Sequence, residues 1–312
     1  MTESSGDLLA LLFRTYADAA ILNSPETAHV VVDGQELVSA NAIPGVSVTG
    51  RREDGVIVAE ITVAPGVEVR NPIHTCVGIM QPEGDQRLRV VVALGEGARA
   101  RLVSHCLFPY ARQVRHEMEA RVDLAAGAEL DYSEGHVHGP YGGVTVIPRS
   151  IVRVGPGARF RSDFHLIQGR AGAVELDVRV EVAEGGVAEI TARVAGSGSD
   201  RISLRDELVL AGREARGLIK TRVALSGEAR AEVLGITRGQ AAGARGHMDC
   251  MELVRDHAVA RAEPIVDVSH PQAKVTHEAA VGTVDQKQLD TLMAHGLSPE
   301  AAVDLIVTGL LR

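Results

Sequence analysis

The chain has 312 residues, with 32 Lys plus Arg against 41 Asp plus Glu, a net charge of −9. That balance argues against a general nucleic-acid or anionic-membrane surface, and no long basic run or aromatic–basic stripe restores one. No apolar stretch is long enough to span a bilayer. The length suits one large domain or two ordinary ones with a substantial core. Aromatic residues are 3% of the chain and Trp is absent, so aliphatic and alanine packing must fill that core. The abundant valine favours strands.

In chain order, Leu8, Leu9, Leu12, Phe13 and Tyr16 recur at helical spacing over Asp7 to Leu22, and Asn23-Ser24-Pro25 ends the segment. Acidic Glu3 and Asp7 precede the short run Leu8 to Phe13, which predicts an N-terminal helix rather than a secretory signal. From about Ala28 the pattern turns to alternation, as in Val46-Ser47-Val48 and Val56 to Val63. A turn signature then recurs: Ala64-Pro65-Gly66-Val67, Gly95-Glu96-Gly97-Ala98, Ala126-Gly127-Ala128, Gly155-Pro156-Gly157-Ala158, Glu184-Gly185-Gly186-Val187 and Ser226-Gly227-Glu228-Ala229. Most spacings are roughly 30 residues, the range of stacked units that bury their apolar faces on neighbours. A β-solenoid satisfies this pattern; a two-sheet sandwich or jelly roll built of ordinary hairpins competes with it.

Helical spacing returns after Gly282. Asp285 and Gln288 have capping-box spacing, Leu289, Leu292 and Met293 share a face, and His295-Gly296 closes the helix. Ser298-Pro299 then opens a second helix, with Val303, Ile306, Val307, Leu310 and Leu311 on one stripe. That stripe either packs on the end of the solenoid or docks a partner.

Three cysteines, Cys76, Cys106 and Cys250, form neither a disulfide framework nor a Cys-x-x-Cys pair. Such sparse usage suits a reducing, cytoplasmic setting and argues against a closed structural zinc site within one subunit. Cys250 lies in Gly246-His247-Met248-Asp249-Cys250, and His277-Glu278 follow in Val275 to Gly282. His247, His277 and Arg255 would lower the thiol pKa if folding brought them close. A lone strand cysteine is otherwise a small buried hydrophobe. Adjacent His277 and Glu278 point to opposite faces of a regular strand, so they share a site only at an interface edge or a distortion. His136 and His138 fall on one strand face with Glu134, in the manner of a cupin metal site. Gly139-Pro140-Tyr141-Gly142-Gly143 lacks the glutamate such a motif expects, and a polar pair at a loop edge is the competing reading. His74, Cys76, His105 and Cys106 are also metal donors by type, against a packing or turn role. No Gly-x4-Gly-Lys-Ser/Thr loop is present, so ATP chemistry is not assigned to this chain.

The segment Arg245 to Leu311 resembles the C-terminal part of the SufB/SufD proteins, scaffolds for iron–sulfur cluster assembly. The matching pieces are the Gly-His-x-Asp-Cys-x-x-Leu run, the Ala-x-Pro-x-x-x-Val run at Ala262 to Val268, the Thr-His-Glu-Ala block and the Gln-Leu…His-Gly-Leu-Ser-x-Glu-Ala-Ala tail. The resemblance implies a minimal form with a parallel β-helix over residues 28–268, an N-terminal helical segment over 1–27, and a C-terminal segment over 269–312 whose two helices dock an ATPase of the SufC type. It implies that a transient iron–sulfur cluster is held by Cys250 with His277 and Glu278. In the family SufB carries the functional carboxylate of that block and SufD the histidine. Both occur here in one chain, which suggests a homodimer, with a heterodimer with a second SufB/SufD-like subunit as the other option, and a sulfur donor as a further partner. The docking residues expected are Leu289, Leu292, Met293, Val303, Ile306 and Val307. Two other functions stay open on the residues alone. One is a metal-dependent, cupin-like enzyme using His136 and His138; the other is a structural solenoid that recruits a partner through its helices.

Overall fold

A computed structural model of the chain describes residues 11, 12, 15, 22 and 24–312. Most of the expected N-terminal helix lies outside the described residues. Leu12 and Leu22, which are described, are buried in a small apolar cluster with Val31, Cys76, Met80 and Leu107.

The rest is mainly β, a β-solenoid of about eight turns. A ten-stranded sheet holds β1 (His29–Asp33), β2 (Glu36–Asn41), β5 (Ile73–Gly78), β7 (Arg99–Phe108), β9 (Glu129–His138), β11 (Arg159–Gln168), β13 (Val187–Gly196), β15 (Arg216–Leu225), β17 (Arg245–Val254) and β19 (Lys274–Gly282). A nine-stranded sheet holds β3 (Val46–Glu53), β4 (Val56–Val63), β6 (Glu83–Leu94), β8 (Gln113–Leu124), β10 (Val144–Val154), β12 (Ala173–Val182), β14 (Arg201–Leu210), β16 (Arg230–Gly239) and β18 (Val259–Val268). The chain alternates between the sheets from β4 onward; β5 pairs in parallel with β1, and from β6 onward each strand pairs in parallel with the strand two before it. The antiparallel pairs are β1–β2 and β3–β4, at the start. Parallel stacking of consecutive coils excludes the hairpin sandwich.

The turn signature marks the corners. Gly66, Gly97, Gly127, Gly157 and Gly185 adopt φ of +63 to +70° where the chain passes from the nine-stranded to the ten-stranded sheet. That backbone region is open to glycine without steric cost. Each corner stacks on the next, as in Gly97 N–H to Ala126 O and Gly127 N–H to Pro156 O, both 2.9 Å. Gly227 belongs to the opposite corner, between β15 and β16, so the sixth signature is not a continuation of the first five. Glu214 and Gly243, also at positive φ, continue the first corner instead.

Period-two alternation sends one set of side chains into the lumen between the sheets. On β12 these are Val174, Leu176, Val178, Val180 and Val182, all buried. Outward positions carry charges that ladder across coils, as where Arg161 lies 3.3 Å from Asp131 and 3.0 Å from Glu189. Being exposed, such pairs contribute about 0–1 kcal/mol each. The lumen is narrow, which explains the aliphatic composition: a Cβ on Gly246 would lie 2.6 Å from Thr237 Cγ2 across the lumen.

The solenoid extends through β19, and two helices follow: α1 (Gln286–Ala294) and α2 (Pro299–Leu310). Both predicted caps form. Asp285 Oδ1 accepts from Gln288 N–H at 2.8 Å and Ser298 Oγ from Ala301 N–H at 3.2 Å. Among the described residues no helix is long and apolar enough to cross a membrane.

Candidate functional site at the end of the solenoid

Cys250 sits mid-strand on β17, in a row of inward residues with Met248 and Glu252. Its register neighbours are Thr221 on β15 and Ala279 on β19. The thiol is buried, 4% exposed. Glu252 is inward and buried beside it, and both its carboxylate oxygens lack a hydrogen-bond partner. Asp206 on β14 and Thr237 on β16 line the opposite wall, where Asp206 Oδ1 and Thr237 Oγ1 are likewise buried without a partner, while the Thr221 hydroxyl faces the Cys250 sulfur. Buried polar groups are nearly always paired, so orphans gathered around one thiol suit a site for polar or metallic cargo.

The electrostatics are the reverse of the expectation from His247, His277 and Arg255. Burial first, and then the negative charge of Glu252, push the Cys250 thiol up to about 12. Burial also raises Glu252 to about 7 and, with the nearby Asp177 carboxylate, Asp206 to about 7. His247 points outward and its Nδ1 meets Thr276 Oγ1 at 2.8 Å. Arg255 lies past the strand, at a corner that packs near α2. Neither offers a positive charge to the sulfur. In this form Cys250 is a thiol; a coordinating metal would deprotonate it.

His277 and Glu278 lie on β19, the outermost strand of its sheet, and both are exposed. His277 is in register with Met248 and Glu278 with Asp249. Alternation therefore places His277 on the Cys250 side of the sheet and Glu278 on the other. A single copy does not bring all three together. The last coil is also open. Its inward column continues that of β16, Val266 following Thr237 and Val268 following Gly239, with no further strand among the described residues to cover it. Ile265, Val266, Val268 and Val281 are correspondingly exposed.

The C-terminal stripe divides. Ala302 and Leu311 are buried, Val303, Ile306 and Val307 are half-buried, and Arg193 Nη1 donates to Leu311 O at 3.2 Å, so α2 lies against the solenoid. On α1, Leu289 and Leu292 are half-buried and Met293 is exposed.

The histidine pair on β9 does not sit at a loop edge. Glu134, His136 and His138 all point into the lumen and are buried. His136 Nε2 is 2.8 Å from Glu134 Oε1, Tyr132 Oη donates to Glu134 Oε2 at 2.5 Å, and His138 Nε2 is 3.4 Å from His136 Nδ1. His74, Cys76 and His105 are strand residues rather than turn residues, buried with donor atoms within 4.8 Å of one another.

Asp206 and Glu252 belong to no motif. Their signal was a charged residue at an inward position of an alternating strand: Ile202-Leu204-Asp206-Leu208-Leu210, and Met248-Cys250-Glu252.

The fold is a parallel β-solenoid with a buried thiol one strand in from its exposed last strand. The family model for the SufBD core domain of the SUF iron–sulfur cluster assembly system matches residues 79–310. An iron–sulfur cluster assembly SufBD family protein of Methanocaldococcus jannaschii is 33% identical over 282 residues, covering 90% of this chain and 89% of the relative. One from Pyrococcus horikoshii is 31% identical over 284 residues, covering 91% and 86%. A more distant one, from Archaeoglobus fulgidus, is 24% identical and covers 80% and 66%. The chain belongs to the SufBD family, and with it has a role in iron–sulfur cluster assembly.

Proposed function

We propose that this chain is a non-enzymatic scaffold subunit on which a nascent iron–sulfur cluster is held between two copies, with Cys250 as the thiolate and His277 and Glu278 as exchangeable donors. The observation that carries this reading is the open last coil. An edge strand with unpaired backbone groups is a template for pairing with another chain, and here it borders exposed valines and isoleucine. Pairing two such ends doubles the donor set close to Cys250, one strand in from the edge. Glu252 and Asp206, buried in the lumen without a side-chain partner for Oε1, Oε2 and Oδ1, are further carboxylates for incoming iron. One thiolate per subunit with oxygen and nitrogen donors grips a cluster less firmly than four thiolates.

Cys250 is buried, so loading requires the end of the solenoid to shift. A SufC-type ATPase docked on residues 269–312, with Leu289, Leu292 and Met293 as the exposed or half-buried apolar positions of α1 and Val303, Ile306 and Val307 on the next helix, would bias that change through differential binding of two states.

Anaerobic reconstitution with iron and sulfide tests the assignment. Wild-type protein should gain a cluster absorbance that Cys250→Ala loses and that His277→Ala and Glu278→Ala weaken. Equal iron and sulfide on Cys250→Ala would refute the site, and a strictly monomeric protein would refute the pairing.

A further inference from the structure

A second donor set lies in the N-terminal half of the lumen, many coils from Cys250. Cys106 on β7 is the register neighbour of His136 on β9, and Glu134 shares the inward face of β9. One ligand atom from each lies within 4.8 Å of the other two. The three residues are 0%, 1% and 4% exposed, in that order. A tetrahedral ion with bonds of about 2.0–2.3 Å keeps its ligand atoms roughly 3.3–3.8 Å apart, so small side-chain rotations bring these atoms to coordination distance.

The surroundings supply what such a site needs. His138 backs His136 at 3.4 Å, and the His116 ring lies 6.3 Å from that of His136. His116 Nε2 is buried without a hydrogen-bond partner, while its Nδ1 meets Gln86 Oε1 at 2.8 Å. A mainly apolar cavity of about 40 Å³ reaches the cluster at Glu134, which Tyr132 flanks on its wall. A thiolate and a carboxylate together neutralise a divalent ion, which limits the cost of enclosing it. Sulfur, imidazole and carboxylate together suit zinc or ferrous iron rather than magnesium or calcium.

We propose that Cys106, Glu134 and His136 form a buried mononuclear site for a divalent transition-metal ion of the zinc and ferrous-iron class, separate from Cys250. Its position between coils makes it a staple of the solenoid rather than a point of cluster release. On binding, the metal–sulfur bond replaces the S–H bond of Cys106 and that proton leaves to solvent; the Nε2 proton that His136 gives to Glu134 is displaced as well, the neutral imidazole keeping its single proton on Nδ1, towards His138 Nε2, so that Nε2 and the Glu134 oxygen are free to bond the ion. No redox partner is needed.

Cobalt(II) is the probe, added anaerobically to the full chain and followed through gel filtration. Wild type and Cys250→Ala should each retain about one cobalt with a thiolate-to-cobalt charge-transfer band. Cys106→Ser should lose the band, and Glu134→Gln and His136→Gln should weaken retention about tenfold or more. Circular dichroism melting of each metal-free variant identifies any that fails to fold, and the isosteric Glu134→Gln then carries the decision. The proposal is overturned by a wild type without the band, by a band that survives Cys106→Ser, by full cobalt retention in Glu134→Gln, or by a band that disappears in Cys250→Ala. Because Cys250→Ala is the background that must keep cobalt, the assembly site and this one are judged separately.

Discussion

The lumen near Glu134 and the lumen near Glu252 are built alike and behave differently. Each places a carboxylate inward beside a cysteine. Burial pushes Glu134 up, but the hydrogen bond and charge of His136, with the Tyr132 hydroxyl, outweigh it and hold Glu134 below the usual carboxylate range. Glu252 has no such partner and is raised to about 7. The first lies between coils that cover it on both sides. The second lies on the penultimate strand of its sheet, under an edge strand that is exposed along its length. A solenoid thus gives similar backbone settings to its coils, and the inward residues next along the same strand decide whether a buried acid is compensated: Glu134 has Tyr132 and His136 two residues away on β9, where Glu252 has Cys250 on β17.

The strongest test of this contrast between enclosed and open coils uses glycine. A Cβ at Gly169, which has φ of +82°, would fall 1.9 Å from the His138 carbonyl oxygen, whereas a Cβ at Gly282 on the last strand meets nothing within 4 Å. Gly169→Ala should cost about 3–5 kcal/mol, from left-handed strain plus overpacking. Gly282→Ala should stay within about 0.5 kcal/mol in urea unfolding. Equal effects would remove the distinction.

Next in size are the inward aliphatics. Leu208→Ala, fully buried on β14, should lose about 2–5 kcal/mol. Val266→Asp, on the open coil, should change monomer unfolding by under about 0.5 kcal/mol yet weaken self-association at least about tenfold by sedimentation. A large loss of monomer stability there would mean that the last coil is covered from within the chain.

The smallest effect concerns Asp206, whose folded pKa of about 7 stands above its ordinary 3.8. The folded state binds the extra proton between those values, so its stability falls as pH rises from about 4 to about 7 and levels off above. Asp206→Asn should remove that slope and gain about 1–3 kcal/mol over wild type at pH 8, shrinking towards pH 4. A pH-independent difference in urea midpoints would contradict the uncompensated carboxylate.

Much of the fold was legible because its cues are local. Turn glycines at roughly 30-residue intervals, valine alternation, and the Asp285 and Ser298 caps each act within a few residues. The resemblance singled out Cys250. The environment of that thiol was not legible from its sequence neighbours, since His247 faces outward and the acids that act on it come from an inward position on β17 and from the other sheet. Cys106 and His136 are 30 residues apart in sequence, yet neighbours in the ladder.

The amino-acid order alone fixed which residues face inward, because side-chain period and turn geometry are properties of the local backbone. Which inward residues meet was decided by coil register, a cooperative outcome of stacking each strand from β6 onward on the one two before it. The same stacking ends at β18 and β19, and the exposed edge left there is a property of the folded chain that no local pattern carries.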